Sequence, residues 1–180
     1  MTATPVAVDP AVAGRVQALD WVEANGYPTR RDEAWRYASH KALGELSFGP
    51  PVTLTAELPD LDALVPALDG PRVVIVNGVV DTELSSFDGP AGLHLSTLLD
   101  ARREQPDRLA AHFDFTDAEI TDAYMALNLA FGGDGAVVRV DDDVTLDVPI
   151  HIIDLEIPDE TRNASCTGVV IELGARSSAT

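Results

Sequence analysis

Apolar and polar positions change their spacing along the chain at a glycine-rich loop, residues 132–135. Before the loop, residues 123–131 carry apolar side chains at the 3.6-residue spacing of an α-helix. Four short runs rich in β-branched residues follow the loop, at residues 136–140, 144–146, 150–157 and 168–173. No helical pattern separates these runs, and the chain shows no internal sequence repeat. We therefore predict half of a β-sandwich or the first coils of a β-solenoid, and not a βαβ sheet.

Helical patterns prevail in the first 71 residues. Asp9-Pro10 resembles an N-cap followed by proline at the first helical position, and it predicts a helix that ends at Gly26. The apolar stripe of this helix would consist of Val12, Val16, Leu19 and Val22. Three further features are then expected: a second short helix from Thr29, a connector over residues 47–55 and a helical piece over residues 58–68.

The middle of the chain predicts a β-hairpin followed by a strand and three helices. Asn77-Gly78 lies between two β-rich runs and supplies the two positive φ angles of a type I′ turn. A strand is expected over residues 92–95. The predicted helix starts are Ser96 as an N-cap, Pro106 in a first turn, and a capping box formed by Thr116 and Glu119.

Charge and composition limit the classes of partner. The chain has 12 basic and 30 acidic residues and a formal net charge of −18, which repels phosphate backbones and anionic lipids. Nucleic acids and membranes are therefore not expected partners. The 46% hydrophobic content excludes general disorder. Residues 1–10 lack the pattern of a secretory signal, and Cys166 is the single cysteine, so we expect a soluble cytoplasmic protein.

We assign no catalytic, cofactor-binding or metal-ligating residue to this chain. The glycine-rich loop lacks the Gly-Lys-Ser/Thr ending of a phosphate-binding loop, and it follows a helix where such loops precede one. Asp141, Asp142 and Asp143 lack the ligand spacing of an EF-hand and are typical of a solvated turn. We expect Cys166 to be a small buried residue on a strand and His151 to be exposed or paired at a strand surface.

Aromatic residues lie near the basic pair Arg30-Arg31, which is flanked by acids and is typical of a solvated helix surface. Trp35 and Tyr37 lie close to Arg30, Arg31 and Arg36, and this composition fits either an aromatic staple in the core or a docking patch. We favour the staple. Positions i and i+2 diverge around a helix, so only one of the two rings is expected to be buried.

Several of these stretches together resemble the SufB/SufD family of iron-sulfur cluster assembly. Residues 26–37 resemble the G-[LY]-P-T-[RK]-x-[DE]-x-W-[RK]-[YF] signature near the start of SufD-type proteins. Residues 73–84 resemble the next recognisable segment of the family. Residues 126–135 with 148–152 resemble the entry to its β-helical core. Their order and spacing agree, and the similarity extends from Gly26 over almost the whole remaining chain.

The resemblance implies an α+β fold in which amino-terminal helices and a β-hairpin lead into the first coils of a right-handed parallel β-helix. The regions expected are a helical part (1–71), a mixed part (72–135) and an incomplete β-helix (136–180). It also implies a non-catalytic SufD-like scaffold with a SufB-like subunit and a SufC-like ATPase as partners. The iron-sulfur cluster would be handled by the whole complex, without a cofactor bound by this portion. Cys166 matches no family motif.

Two alternatives stay open at this point. The chain could belong to a β-solenoid enzyme, such as a polysaccharide lyase or a hexapeptide-repeat acyltransferase, or it could be an unrelated β binding module. We also expect the sequence to be the amino-terminal part of a longer protein. A chain that stops after Thr180 exposes a strand edge, and such an edge favours self-association.

Overall fold

The structure, a computed structural model, describes residues 10–38, 45–48, 60, 69–113, 119–157 and 163–180. These ranges form a mixed α and β fold, which confirms the predicted fold class at that level. The helices are α1 (Pro10–Asn25), α2 (Leu98–Glu104), α3 (Pro106–Phe113) and α4 (Ala123–Phe131), with a 3-10 turn at Glu33–Trp35. The strands are β1 (Ser47–Phe48), β2 (Arg72–Val76), β3 (Val79–Ser86), β4 (Leu93–Thr97), β5 (Gly135–Val140), β6 (His151–Leu155), β7 (Asn163–Ala164) and β8 (Gly168–Leu173).

The predicted hairpin is confirmed. Strands β2 and β3 pair antiparallel, with Val76 opposite Val79 across a two-residue turn. Asn77 and Gly78 both have positive φ angles, 46° and 81°, as the turn requires. This element was predictable because the turn sequence and the flanking β-branched residues act locally.

Each three-stranded sheet combines one antiparallel and one parallel pairing. In the first sheet, β2 lies between antiparallel β3 and parallel β6. In the second sheet, β5 lies between antiparallel β4 and parallel β8, and β1 pairs with β7 in a short parallel pair. No helix lies between β5 and β8 within residues 135–157 and 163–168, in agreement with the sequence pattern.

The parallel pairing after residue 135 has a constant offset. Gly135 pairs with Gly168, and Thr145 pairs with Ser178, so both partners lie 33 residues further along the chain. The corner after each strand also repeats, because Asp143 and Arg176 take left-handed φ angles of 61° and 59°. The predicted strand over residues 144–146 is reduced to the single bridge at Thr145. Thus β5 and the turn after it pair in register with β8 and the turn after that strand, although the two sequences do not repeat.

The core lies on both faces of the second sheet. Ala136 packs with Val73, Ile75 and Val80 of the first sheet. Its neighbour Val137 points to the opposite face, as alternation along a strand dictates. There Val137 contacts residues of α2, α3 and β8, namely Leu98, Ala101, Leu109 and Val170. Strand β5 is therefore covered by the first sheet on one side and by two helices on the other.

Helix α1 has the predicted bounds but not the predicted buried face. Among its described side chains, Ala18 is buried, at 1% exposure, and Val22 of the expected stripe packs partly buried against the same cluster, whereas Val16 and Leu19 are 52% and 41% exposed. Ala18 packs in one cluster with Ala126 and Ala130 of α4. Small side chains allow the two helix axes to approach closely, and a stripe chosen for bulky residues misses that contact.

Three predicted helix starts are wrong. Thr97, and not Ser96, is the N-cap of α2, and its Oγ1 accepts a hydrogen bond from the Asp100 N–H at 2.9 Å. The helix expected from the Thr116 capping box begins instead after Asp122, whose side chain accepts bonds from two N–H groups of α4. The helix expected from Thr29 is only the 3-10 turn at Glu33–Trp35. The start of α3 at Pro106 is as predicted.

Some predictions cannot be compared with the structure. The helical piece over residues 58–68 lies outside the described residues except for residue 60, as do Asp9 and residues 116–118 of the capping box. The connector over residues 47–55 is described only at Ser47–Phe48, which forms β1. Within the described ranges, no helix combines the length and the apolar character needed to cross a membrane.

Candidate functional site

A buried carboxylate in the glycine-rich loop connects three elements. Asp134 is 4% exposed. Its Oδ2 accepts a hydrogen bond from the N–H of Val80 in β3, and its Oδ1 accepts one from the N–H of Leu99 in α2, each at 3.1 Å. Because Asp134 directly precedes β5, these bonds fix the hairpin and the start of α2 against the beginning of β5. Asp134 also supplies a hydrogen-bond acceptor for one of the N–H groups at the start of α2 that have no partner within the helix.

Two arginines bind the carbonyl groups of the same loop. Arg15 of α1 donates to the Gly132 carbonyl at 3.1 Å, and Arg102 of α2 donates to the Gly133 carbonyl at 3.2 Å. The guanidinium group of Arg102 also lies 4.8 Å from the centre of the Phe113 ring. Burial, followed by the charge of Arg15, lowers the pKa of Arg102. The loop is therefore a structural junction between α1, α2 and β5.

The end of this loop requires glycine. Gly135 has a φ angle of 155°, and a Cβ added there would lie 1.8 Å from the carbonyl oxygen of Gly168 in β8. That distance is far inside van der Waals contact, so no other residue fits without moving the backbone. The backbones of β5 and β8 are therefore in close contact where both strands begin.

The acidic turn after β5 binds the turn that follows β8. Asp142 Oδ1 accepts a hydrogen bond from the Ala175 N–H at 2.7 Å. Asp143 accepts two hydrogen bonds from the guanidinium group of Arg176, at 2.6 and 2.7 Å. These carboxylates therefore serve as contacts between stacked corners. In the described part of the chain, no group of three or more His, Cys, Asp or Glu side chains could hold a metal ion.

Two histidine–carboxylate–arginine groups lie on the face of the second sheet that α3 covers. They are His94 with Asp141 and Arg139, and His112 with Glu172 and Arg108. A hydrogen bond from His94 lowers the pKa of Asp141, and hydrogen bonds from Arg108 and then His112 lower the pKa of Glu172. The groups flank an open hollow of about 440 Å³. Because each charge has a partner within the chain, these groups connect β4, β5, β8 and α3.

Cys166 and His151 take part in packing and backbone contacts. Cys166 is 5% exposed and lies between β7 and β8, not on a strand as predicted. Burial, with a smaller effect of Glu156, raises the pKa of its thiol, which disfavours the reactive thiolate. The Nε2 of His151 lies 3.1 Å from the carbonyl oxygen of Asp69, so this histidine is paired at a strand surface.

Of the two rings in the predicted staple, Trp35 packs against a neighbouring ring but is only half-buried, so the expected buried ring is not found. The ring of Trp35 lies 4.8 Å from that of Tyr124 in α4. The rings of Tyr27 and Phe48 also approach Tyr124, at 5.9 and 6.1 Å. Tyr37 is 93% exposed. Trp35 therefore anchors its segment on α4, and Tyr37 projects from it.

Comparison with known proteins supports the family resemblance that the sequence motifs indicated. The family described as "SufBD protein N-terminal region" matches residues 7–152, which is most of the chain. The chain belongs to the SufBD family. A curated relative, an iron-sulfur cluster assembly SufBD family protein of Synechocystis, is 26% identical over 150 residues. The match covers 82% of the SufBD chain and 33% of the relative, so the chain spans about a third of that protein's length.

The role of Asp134 in this SufBD chain was not predicted from the sequence. Its partners Val80 and Leu99 lie 54 and 35 residues away, and no local pattern connects them. The sequence feature that could have indicated this role is an aspartate placed between an apolar helix and a β-rich run. The family match includes the loop and the aromatic residues around Tyr124, whereas β7 and β8 lie beyond it.

Proposed function

We propose that this chain is part of a SufD-like scaffold that takes part in iron-sulfur cluster assembly and has no catalytic activity of its own. The family match over residues 7–152 carries this proposal, together with a relative described as a cluster assembly protein. The paired charges support it, because they strengthen contacts between elements of the chain. The cluster would be a cargo handled in the cytoplasm by a complex, without a cofactor resident in this portion.

We further propose that residues 135–180 begin a right-handed parallel β-helix, as the family resemblance implies. Two observations support a coil. Parallel partners keep the offset of 33 residues from Gly135 to Ser178, and the left-handed corners at Asp143 and Arg176 stack on each other. A β-sandwich would instead be built from antiparallel pairs. The bridge at Thr145 continues the same stacking beyond the corner.

Strand β8 is a suitable edge for a further coil or for a second copy of the chain. Among the described strands it pairs only with β5. Val169, Ile171 and Leu173 are 47%, 60% and 55% exposed, and they align with the buried residues Ala136, Val138 and Val140 of β5. A SufB-like subunit and a SufC-like ATPase are the partners that we propose for the complete protein.

A gene deletion tests the proposed function. In cells that lack the protein containing this chain, we expect the activity of a cluster-dependent enzyme such as aconitase to fall while its protein level stays constant. Malate dehydrogenase, which needs no cluster, serves as the control enzyme. Aconitase activity that stays at the wild-type level during growth under oxidative stress would contradict a role in cluster assembly.

A further inference from the structure

An exposed surface of arginines and tyrosines follows α1. We call Tyr27, Arg30, Arg31, Arg36 and Tyr37 the arginine-tyrosine surface. All five side chains are exposed, with Tyr27 at 52% and Tyr37 at 93%. Arginine and tyrosine are the residues that protein interfaces favour most consistently, because both combine a large contact area with hydrogen-bonding groups.

The arginines of this surface differ from the others in the chain. Ten arginines lie in the described ranges, and seven of them donate a side-chain hydrogen bond or form an ion pair. Those seven are Arg15, Arg72, Arg102, Arg103, Arg108, Arg139 and Arg176. Among the described residues, only Arg30, Arg31 and Arg36 have no such partner. Asp32 and Glu33 lie between these arginines in the sequence and are also exposed, but the Asp32 carboxylate accepts hydrogen bonds from Thr29 and neither acid pairs with the three guanidinium groups.

The backbone of this segment is held by a local turn and by one ring contact with α4. Thr29 donates two hydrogen bonds to the Asp32 carboxylate, from its N–H at 2.7 Å and from its hydroxyl at 3.0 Å. Trp35 packs against Tyr124 of α4. A segment held in this way loses little conformational entropy when it binds a partner, which favours its use as a recognition surface.

We propose that the arginine-tyrosine surface binds an acidic segment of a partner protein. Guanidinium groups bind carboxylates through paired, short-range hydrogen bonds, and the exposed tyrosine rings offer apolar area beside them. A polyanion such as nucleic acid depends on the field of many charges, and the net charge of −18 opposes it. The proposal rests on this surface alone and does not depend on a role in cluster assembly.

Peptide binding followed by NMR tests the proposal. The ¹⁵N-labelled chain is titrated with a synthetic peptide that repeats Glu-Glu-Leu over about 12 residues, enough to cross the surface when extended. We expect amide shifts confined to residues 27–37 and their contacts at Tyr124. Substituting Arg30→Gln and Arg31→Gln together should weaken binding at least about threefold, as the loss of two exposed ion pairs implies.

A charge-matched variant separates this surface from a general charge effect. Arg103→Gln with Arg176→Gln removes the same charge from exposed arginines that already have partners. It should change the affinity by less than about 1.5-fold. The proposal is overturned if no shifts appear at residues 27–37, if both double variants weaken binding equally, or if a Gln-Gln-Leu peptide binds as well. It is also overturned if single-stranded DNA binds there more tightly, or if the surface proves to be a contact between two copies of the chain.

Discussion

Asp134 allows the sharpest test of how the beginning of β5 is joined to the hairpin and to α2. In Asp134→Asn, one carboxylate oxygen becomes an NH₂ group that faces the N–H of either Val80 or Leu99. One buried N–H then has no acceptor, which costs about 1–3 kcal/mol. The remaining bond loses its charge assistance, which adds about 1 kcal/mol. We expect a loss of about 2–4 kcal/mol, a large part of the roughly 5–15 kcal/mol that stabilises a typical domain.

Urea denaturation followed by circular dichroism measures this loss. Asp88→Asn is the matched control, because Asp88 is exposed and has no hydrogen-bond partner among the described residues. It should change the free energy of unfolding by less than about 0.5 kcal/mol. If Asp134→Asn unfolds within about 0.5 kcal/mol of the wild type at an unchanged m-value, the carboxylate does not hold these elements together.

Three further predictions test the packing and the charge pairs. Leu98 is 1% exposed and its neighbour Leu99 is 46% exposed. Leu98→Ala should therefore lower the free energy of unfolding by about 2–5 kcal/mol, and Leu99→Ala by less than about 1 kcal/mol. Equal losses in urea denaturation would contradict the packing. The hydrogen bond from Arg108 lowers the pKa of Glu172 in the folded chain. The wild type should therefore be more stable than Glu172→Gln well above pH 4.3, which is roughly the pKa of glutamate in the unfolded chain. This advantage should disappear as the pH falls through the folded pKa of Glu172. A pH-independent difference would refute that pairing. Iodoacetamide should alkylate buried Cys166 much more slowly in the native chain than in urea, and equal rates would show that the thiol is accessible.

The sequence predicted those elements whose causes are local. The hairpin depends on Asn77-Gly78 and its flanking runs, and β5 and β8 on continuous β-branched residues. Helix α1 begins at its proline as expected. In each case the signal and the structure it specifies lie within a few residues of each other.

Predictions that depend on distant contacts failed or were not made. The face of α1 that packs around Ala18 is set by alanines of α4, more than 100 positions further along the chain, and Val16 and Leu19 of the expected stripe stay outside it. Thr97 replaces Ser96 as an N-cap because Thr97 ends a strand paired with β5, which fixes where the helix can begin. The stacking of the corner at Asp143 on that at Arg176 also has no repeated sequence to reveal it.

We propose that this chain works by holding partner proteins during cluster assembly. Co-expression of the complete protein that contains it with the SufB-like and SufC-like proteins of the same genome, followed by size-exclusion chromatography with light scattering, tests this most directly. We predict a single complex that contains all three proteins. Separate elution of the protein that contains this chain, at concentrations where the other two associate, would contradict the claim.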